Sequence, residues 1–170
     1  KLGFAWRSGV KLDEEQAARV ADLYNRLYLG KYSNNNPRFT PLFHAQCASR
    51  SILHYQLLLD GDHIIGVLGM KVVDGVATMP VLGYDFDHPQ AHVLYRILTA
   101  KIARTCSDNN FQRHASSGAN KFKKLRGGVT NEEFTMVKTA HLSWWRRLNW
   151  GLIRFIAQKI GRPLTHKFET

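Results

Sequence analysis

The sequence of 170 residues predicts one α/β domain (α+β in stricter schemes), built on a mixed, central six-stranded sheet flanked by helices, with an extra C-terminal helix. Three observations carry this. Segments of helical apolar spacing are interleaved with β-branched runs. Two short Asp-Gly turns, Asp60-Gly61-Asp62 and Asp74-Gly75, separate three consecutive strand-like runs. Apolar residues at 44% and charged residues at 22% match ordinary globular chains, so disorder is not expected. A chain of this length buries roughly two-thirds of its unfolded surface and needs no disulfide or metal to fold.

Leu2–Arg7 reads as a short strand closed by Ser8-Gly9. Asp13 caps a helix in which Ala17, Val20, Ala21, Leu23, Tyr24 and Leu27 recur at helical spacing, and Gly30 ends it. Lys31–Pro37, with three asparagines before a proline, predicts a loop, and Thr40–Arg50 a second helix. Strands follow at Ile52–Leu59, His63–Val73 and Val76–Tyr84. Asp87-His88-Pro89 opens a helix carrying Leu94, Ile97, Leu98 and Ile102 on one face, which stops near Ser107–Asn110. Phe111–Ser116 is a fifth strand, and Ser117-Gly118 turns into a short helix through Leu125, ended by Gly127-Gly128. Glu132–Lys138 is a sixth strand and Ser143–Ile160 a helix rich in tryptophan and arginine. A helix between two strands makes a right-handed crossover, so the sheet is antiparallel first and parallel near its middle.

The net charge of +11 favours an anionic partner: nucleic acid, a phosphorylated substrate or acidic headgroups. Cys47 and Cys106 lie far apart with no CxxC spacing, and read as two buried, reduced thiols. No run approaches a membrane span and no leader opens the chain, so the expected location is cytoplasmic. The first residue, Lys1, is not a methionine, which suggests a piece of a longer protein. The histidines and cysteines show no metal-ligand spacing, and Ser116 and Ser117 lack the frame of a serine hydrolase.

The order of elements looks like the GNAT acyltransferase fold, in which the helix after the fourth strand faces the acyl donor. The segment Ser117–Gly128, which contains Phe122-Lys123, followed by the strand around Phe134, resembles the Phe-Lys-x-x-x-Gly segment of FemAB-like transferases. That resemblance implies that Phe122 and Lys123 lie at the transfer site, holding the donor and the developing oxyanion. Gly83-Tyr84-Asp85 with Pro89 and Leu94-Tyr95-Arg96, and the loop Lys31–Pro37, are similar to FemAB-like or CelD-like bacterial proteins. The likeness spans about Tyr24 to Lys138. It implies transfer of an acyl or aminoacyl group, from a thioester or charged tRNA, onto an amine. It also implies a second GNAT-like domain elsewhere in the full protein. One departure bears on the donor. Phe86–His92 has no glycine where acetyl-CoA-dependent members carry a glycine-rich pyrophosphate loop, Asp85 and Asp87 repel phosphate, and Pro89 has no N–H. Acyl-CoA is therefore a donor without its usual cradle, and no cofactor is assigned.

Candidate site residues follow from the chemistry. Lys123 stabilises an oxyanion or contacts tRNA phosphate, or else belongs to a solvated face with Lys121, Lys124 and Arg126. Asp85 is a base or amine anchor, or a turn and cap residue. Tyr84 donates a proton to the leaving group, or merely packs. Phe122, Asn36, Tyr32, Ser117 and Arg126 are expected at the substrate, and His92, Tyr95 and Arg96 along the donor channel. The tail divides from the rest at 142/143. Residues 1–142 are the transferase domain, and 143–170 a basic helix packed on that domain or on a partner. Trp145, Leu148, Leu152, Phe155 and Ile156 form its apolar stripe. The other reading of 143–160 is contact with an anionic membrane, which would make the protein peripheral at the inner membrane surface.

Overall fold

The computed structural model describes residues 3–9, 11–115, 120–129 and 136–161. The chain divides into two compact units, Lys1–Gly128 and Val129–Thr170. In the first unit five strands form one sheet in the order β1-β2-β3-β4-β5: Ala5–Ser8, His54–Asp60, His63–Val73, Val76–Tyr84 and Gln112–Arg113. Strands β1 to β4 pair antiparallel, β2 to β3 and β3 to β4 through two-residue turns and β1 to β2 across the intervening helices, and β5 joins β4 in parallel after a helical crossover. The expected sixth strand is not among the described elements. Residues 132–135 of it lie outside the described residues, and Met136–Lys138 are irregular.

Helix α1 (Glu14–Asn25) starts at Asp13, whose carboxylate accepts from the Gln16 N–H while the Gln16 side chain accepts from the Asp13 N–H. This reciprocal box satisfies two of the donors that every helix start leaves open. Gly30 does not end the helix. The chain continues as a π-helix over Arg26–Tyr32, closed by Ser33 N–H donating to Tyr28 O at 2.9 Å. The wider i→i+5 turn keeps Tyr28, Lys31 and Tyr32 in helical register where a loop was expected. Helix α2 (Pro41–Ser49) has Thr40 as N-cap and proline at its first position. Helix α3 (Ala91–Asp108) begins after Asp87-His88-Pro89, at Gln90, which makes no side-chain cap. The short α4 (Asn120–Lys124) ends in a Schellman motif: Gly128 N–H donates to Lys123 O at 3.0 Å and Gly127 N–H to Lys124 O at 3.1 Å. Gly127 supplies the required positive φ of +78°, and a Cβ on Gly128 would stand 2.9 Å from Lys123 O.

The sheet buries both faces. On one, α1 and α2 cover Tyr55, Leu57, Val67 and Val81; on the other, Leu94, Leu98 and Ile102 of α3 cover Leu58, Leu68, Ala77 and Tyr84. Cys47 and Cys106 are buried and unpaired, as the sequence implied. The closest approach is at Gly83, where a Cβ would lie 2.6 Å from the backbone carbon of Leu23, so α1 sits directly on β4. Beside it, fully buried His44 shares a 2.8 Å hydrogen bond between Nδ1 and the Tyr55 hydroxyl. Its Nε2 has no partner among the described residues. Burial lowers its pKa from 6.5 to about 4, so it is a neutral core residue.

Two predictions follow from this packing. Gly83→Ala must push α1 off β4 and costs about 1–3 kcal/mol, whereas Gly30→Ala, with nothing within 4 Å of the new Cβ, is neutral or stabilising by up to about 1 kcal/mol. Chemical denaturation of both variants checks this. The second concerns pH. Unfolded His44 takes up a proton near pH 6.5, but the folded residue does so only near 4. Stability is therefore complete above pH 6.5 and falls towards pH 4, by at most roughly 3 kcal/mol. His44→Leu removes that slope in a series of melts across the window.

Candidate active site

The sheet opens between β4 and β5. Their parallel pairing covers only Val76–Gln112 and Ala77–Arg113, extended by His114 N–H donating to Ala77 O at 2.9 Å. On its other side β4 stays paired with β3 as far as Tyr84. The parting coincides with a bulge: Thr78 opposes Lys71 but Val81 opposes Gly69, so Met79 and Pro80 share the single partner Met70. A bulge turns the strand, and Pro80 has no N–H to extend a ladder. Asp85 N–H donates to Ile65 O at 2.9 Å, which fixes the alternation beyond the bulge. The amides of Val81 and Gly83 face β3, and those of Leu82 and Tyr84 face the open edge.

Aromatic and basic side chains gather at this edge. The Tyr84 ring lies 4.6 Å from Phe86 and 6.3 Å from Tyr95, and Tyr28 lies 5.9 Å from Tyr32. Lys31 Nζ is 5.3 Å from the centre of the Phe86 ring and donates to the Tyr84 hydroxyl at 3.5 Å. Burial pushes the Tyr28 phenol up to about 12, helped by Tyr24, Tyr32 and Tyr95, so it stays protonated. Burial also raises Tyr95, as do Tyr32 and Tyr84, while Arg113 and Arg126 pull it back. Tyr32, Tyr84, Arg113 and Arg126 therefore each lie within electrostatic reach of Tyr95.

The turn between β4 and α3 is held from below. Asp85 Oδ2 accepts from Arg19 Nη2 at 2.6 Å, its Oδ1 accepts the Asp87 N–H at 2.9 Å, and Arg26 stands 3.6 Å away. Arg26 also holds Asp87 at 2.7 Å. Burial alone would raise the Asp85 pKa. The Asp87 N–H and the Arg19 guanidinium, with Arg26, outweigh it and keep the carboxylate ionised below its usual range. The loop's own amides are largely in use: Gln90 N–H donates to His88 Nδ1, Ala91 N–H to His88 O and Val93 N–H to Gln90 O. With Pro89 lacking a proton, the residues present do not fit a backbone cradle for a diphosphate.

No protein-family model matches the chain, and no curated protein is significantly similar to it in sequence. Solved structures are similar in shape. A predicted acetyltransferase from Clostridium acetobutylicum, crystallised with acetyl-CoA, matches with TM-score 0.57 at 8% identity, over 82% of this chain and 98% of that one. The PaiA N-acetyltransferase of Thermoplasma acidophilum, in complex with coenzyme A, matches with TM-score 0.54 at 14% identity, over 78% and 93%. A transcriptional regulator from Bacillus halodurans reaches TM-score 0.54 at 12% identity, over 79% and 99%. The fold is the GNAT fold.

Seen on the GNAT fold, the residues singled out in the sequence separate into groups. Tyr84 and Tyr95 are ring neighbours at 6.3 Å, and Tyr32 and Arg126 act electrostatically on Tyr95. His92 and Arg96 are exposed on α3. Asn36 donates from Nδ2 to Tyr28 O at 2.9 Å and so holds the chain leaving the π-helix. Lys123 is half-buried on α4, Phe122 lies on the same helix, and Ser117 is outside the described residues. Asp85 caps no helix; it is the centre of the ion-pair network. Sequence reasoning missed Arg19, Arg26, Phe86 and the role of Lys31. Arg19 in α1 and Arg26 at the start of its π-helical continuation are seven apart on one face, with Asp22 between them, a signal that was available. A separate recess of about 550 Å³ lies beneath the α1 start, between Asp13, Asp60, His63, Asp85 and His88.

Asp85→Asn should cost about 1–2 kcal/mol at pH 7, between the limits for exposed and buried ion pairs. Because the folded pKa is depressed, the stabilisation exists above about pH 4 and disappears as pH falls through the folded value. The variant's stability should change less than the parent's below pH 4, measured by denaturant titration.

Proposed function

We propose that the chain is an N-acyltransferase of the FemAB-like style, moving an acyl or aminoacyl group from a thioester or charged-tRNA donor onto an amine. The observation that carries this reading is the edge of β4 beyond Ala77, which pairs with no strand among the described residues, with the Leu82 and Tyr84 amides facing it. An acyl carbonyl laid along that edge accepts from these N–H groups, which stabilises the oxygen as it gains charge. The acceptor nitrogen attacks the acyl carbon and releases its proton to water, from which Tyr84 is reprotonated once transfer is complete. The tetrahedral centre then collapses, breaking the bond to the donor sulfur or oxygen, which takes up a proton. In this reading the Tyr84 hydroxyl supplies it, which the Lys31 ammonium at 3.5 Å supports by balancing the charge left behind.

Phe122 and Lys123 complete the site by resemblance, and the Schellman turn behind Lys123 fixes the end of its helix. Asp85 acts as a positioning residue. Its carboxylate already belongs to Arg19 and Arg26, whereas a general base needs a free one. The acceptor enters beside Lys31–Thr40. Acetyl-CoA and coenzyme A in the structural neighbours favour a thioester donor. The occupied amides before α3 and the absence of glycine there favour a donor gripped elsewhere through basic residues, as charged tRNA would be. The same occupied amides also keep a second reading, a binding or regulatory module without catalysis, since a fold does not dictate chemistry.

A thermal-shift panel of acetyl-CoA, longer acyl-CoAs and charged tRNA separates these readings. Stabilisation by one donor is the expected result, and silence across the panel favours the module. With that donor, Lys123→Ala should abolish transfer at nearly unchanged Tm, and Tyr84→Phe should lower kcat by about 100-fold or more. Full turnover in Lys123→Ala removes its assigned role.

A further inference from the structure

The second unit carries a feature that acyl transfer does not use. Helix α5 (Trp144–Ile156), which itself has no buried residue, continues as a π-helix over Ala157–Gly161. Trp144, Trp145, Leu148, Leu152, Phe155 and Ile156 recur at helical spacing along one half of its surface. All are solvent-exposed, Trp145 at 65% and Leu152 at 59%. Arg146 and Arg154 lie on the opposite arc. Arg147 donates to the carbonyls of Leu142 and Ala140, tying the preceding turn to the helix.

Charge decides what such a face suits. After Asp108 the chain has twelve Lys and Arg but only Glu132, Glu133 and Glu169, so +9 of the net +11 lies there. Between residues 136 and 161 stand Lys138, Arg146, Arg147, Arg154 and Lys159, and no Asp or Glu. The helix is too short to cross a bilayer, and no described helix is long and apolar enough to do so. A short helix with aromatic and aliphatic residues on one face, and only cations among its charges, is built to lie in the plane of an anionic lipid surface. Tryptophans there sit at headgroup depth, and each cation adds attraction to anionic lipid.

We infer that α5 docks the protein on anionic membrane surfaces, its apolar face in the headgroup boundary and Arg146 and Arg154 against lipid phosphates. This inference is independent of the catalytic reading, since a chain without transferase activity would dock equally well.

The test is co-sedimentation of the full chain with phosphatidylcholine vesicles, with and without phosphatidylglycerol, together with tryptophan fluorescence. Three of the four tryptophans, Trp144, Trp145 and Trp150, are in α5. Binding to the phosphatidylglycerol vesicles at low salt, with a blue shift, is expected. So is about tenfold weaker binding in Arg146→Glu/Arg154→Glu and in Leu152→Ser/Phe155→Ser, with circular dichroism of the whole chain unchanged. Four results overturn it: no binding to anionic vesicles at low salt; binding to which Leu152→Ser/Phe155→Ser is indifferent, which is adsorption by charge alone; vesicle binding abolished by stoichiometric tRNA, which makes nucleic acid the occupant; or a stable oligomer whose tryptophan emission is already blue-shifted and does not respond to vesicles, which makes a second copy the occupant.

Discussion

Among the described residues, the fourth strand beyond Ala77 has a hydrogen-bonded neighbour on one side only, and the candidate site depends on that single fact. A strand inside a sheet has its amides committed on both sides and offers nothing to a substrate. An edge strand offers them, but at the rim of a sheet it also invites unwanted pairing. Here the free edge is internal. Strand β5 begins beside β4, starts the sheet in parallel and then leaves. The bulge at Met79-Pro80 and the missing proline donor make the departure local.

Holding such a gap open requires that β4 itself does not move, and the sequence fixes it from two directions. From one face α1 lies on Gly83, close enough that any side chain there would collide with the helix backbone. At the end of the strand, Asp85 ties the chain back to Arg19 and Arg26 of that same helix. These arginines come from α1 and its π-helical continuation, and the continuation also delivers Lys31 to Tyr84. One helical element therefore both pins the strand and furnishes part of the wall of the site. This division of labour explains why the most acidic candidate in the sequence, Asp85, is a structural anchor.

Much of the fold was legible because its signals are local. Strands β3 and β4 fall where alternation and the Asp-Gly turns put them, and the glycines at 127 and 128 end α4 for the two reasons glycine can: positive φ and close approach. What could not be read depends on tertiary context. Gly30 carries a helix-stop signal, yet the π-helix runs through it because Tyr24 and Tyr28 stack at 4.5 Å and continue the packing. Phe111–Ser116 reads as a full strand, but among the described residues only Gln112-Arg113, extended by the His114 N–H, pair with β4, which bulges beyond Thr78. His44 looks like any surface histidine until the fold surrounds it with Tyr24, Phe39, Phe43 and Tyr55. The site was half legible: tyrosines at a strand end and on the following helix stand out, whereas the arginines that organise the turn come from 60 or more residues earlier.

The distribution of charge completes the physical picture. A net +11 suggests a uniformly basic molecule, but the first 108 residues hold twelve cations against ten of the thirteen acids and are close to neutral. Several of those acids, Asp13, Asp60, Asp85 and Asp87 among them, line one recess beneath the start of α1, where Arg7 and Arg19 also stand. The excess belongs to the chain after Asp108, which contributes Arg113 and Arg126 to the surroundings of Tyr95 and all the cations of α4 and α5. Attraction between an anionic partner and this protein is therefore concentrated in those later segments, and screening by salt would weaken it there first. The near-neutral half supplies the rigid sheet and the pinned strand. The later segments carry the excess cations, and two of them, Arg113 and Arg126, act electrostatically on Tyr95.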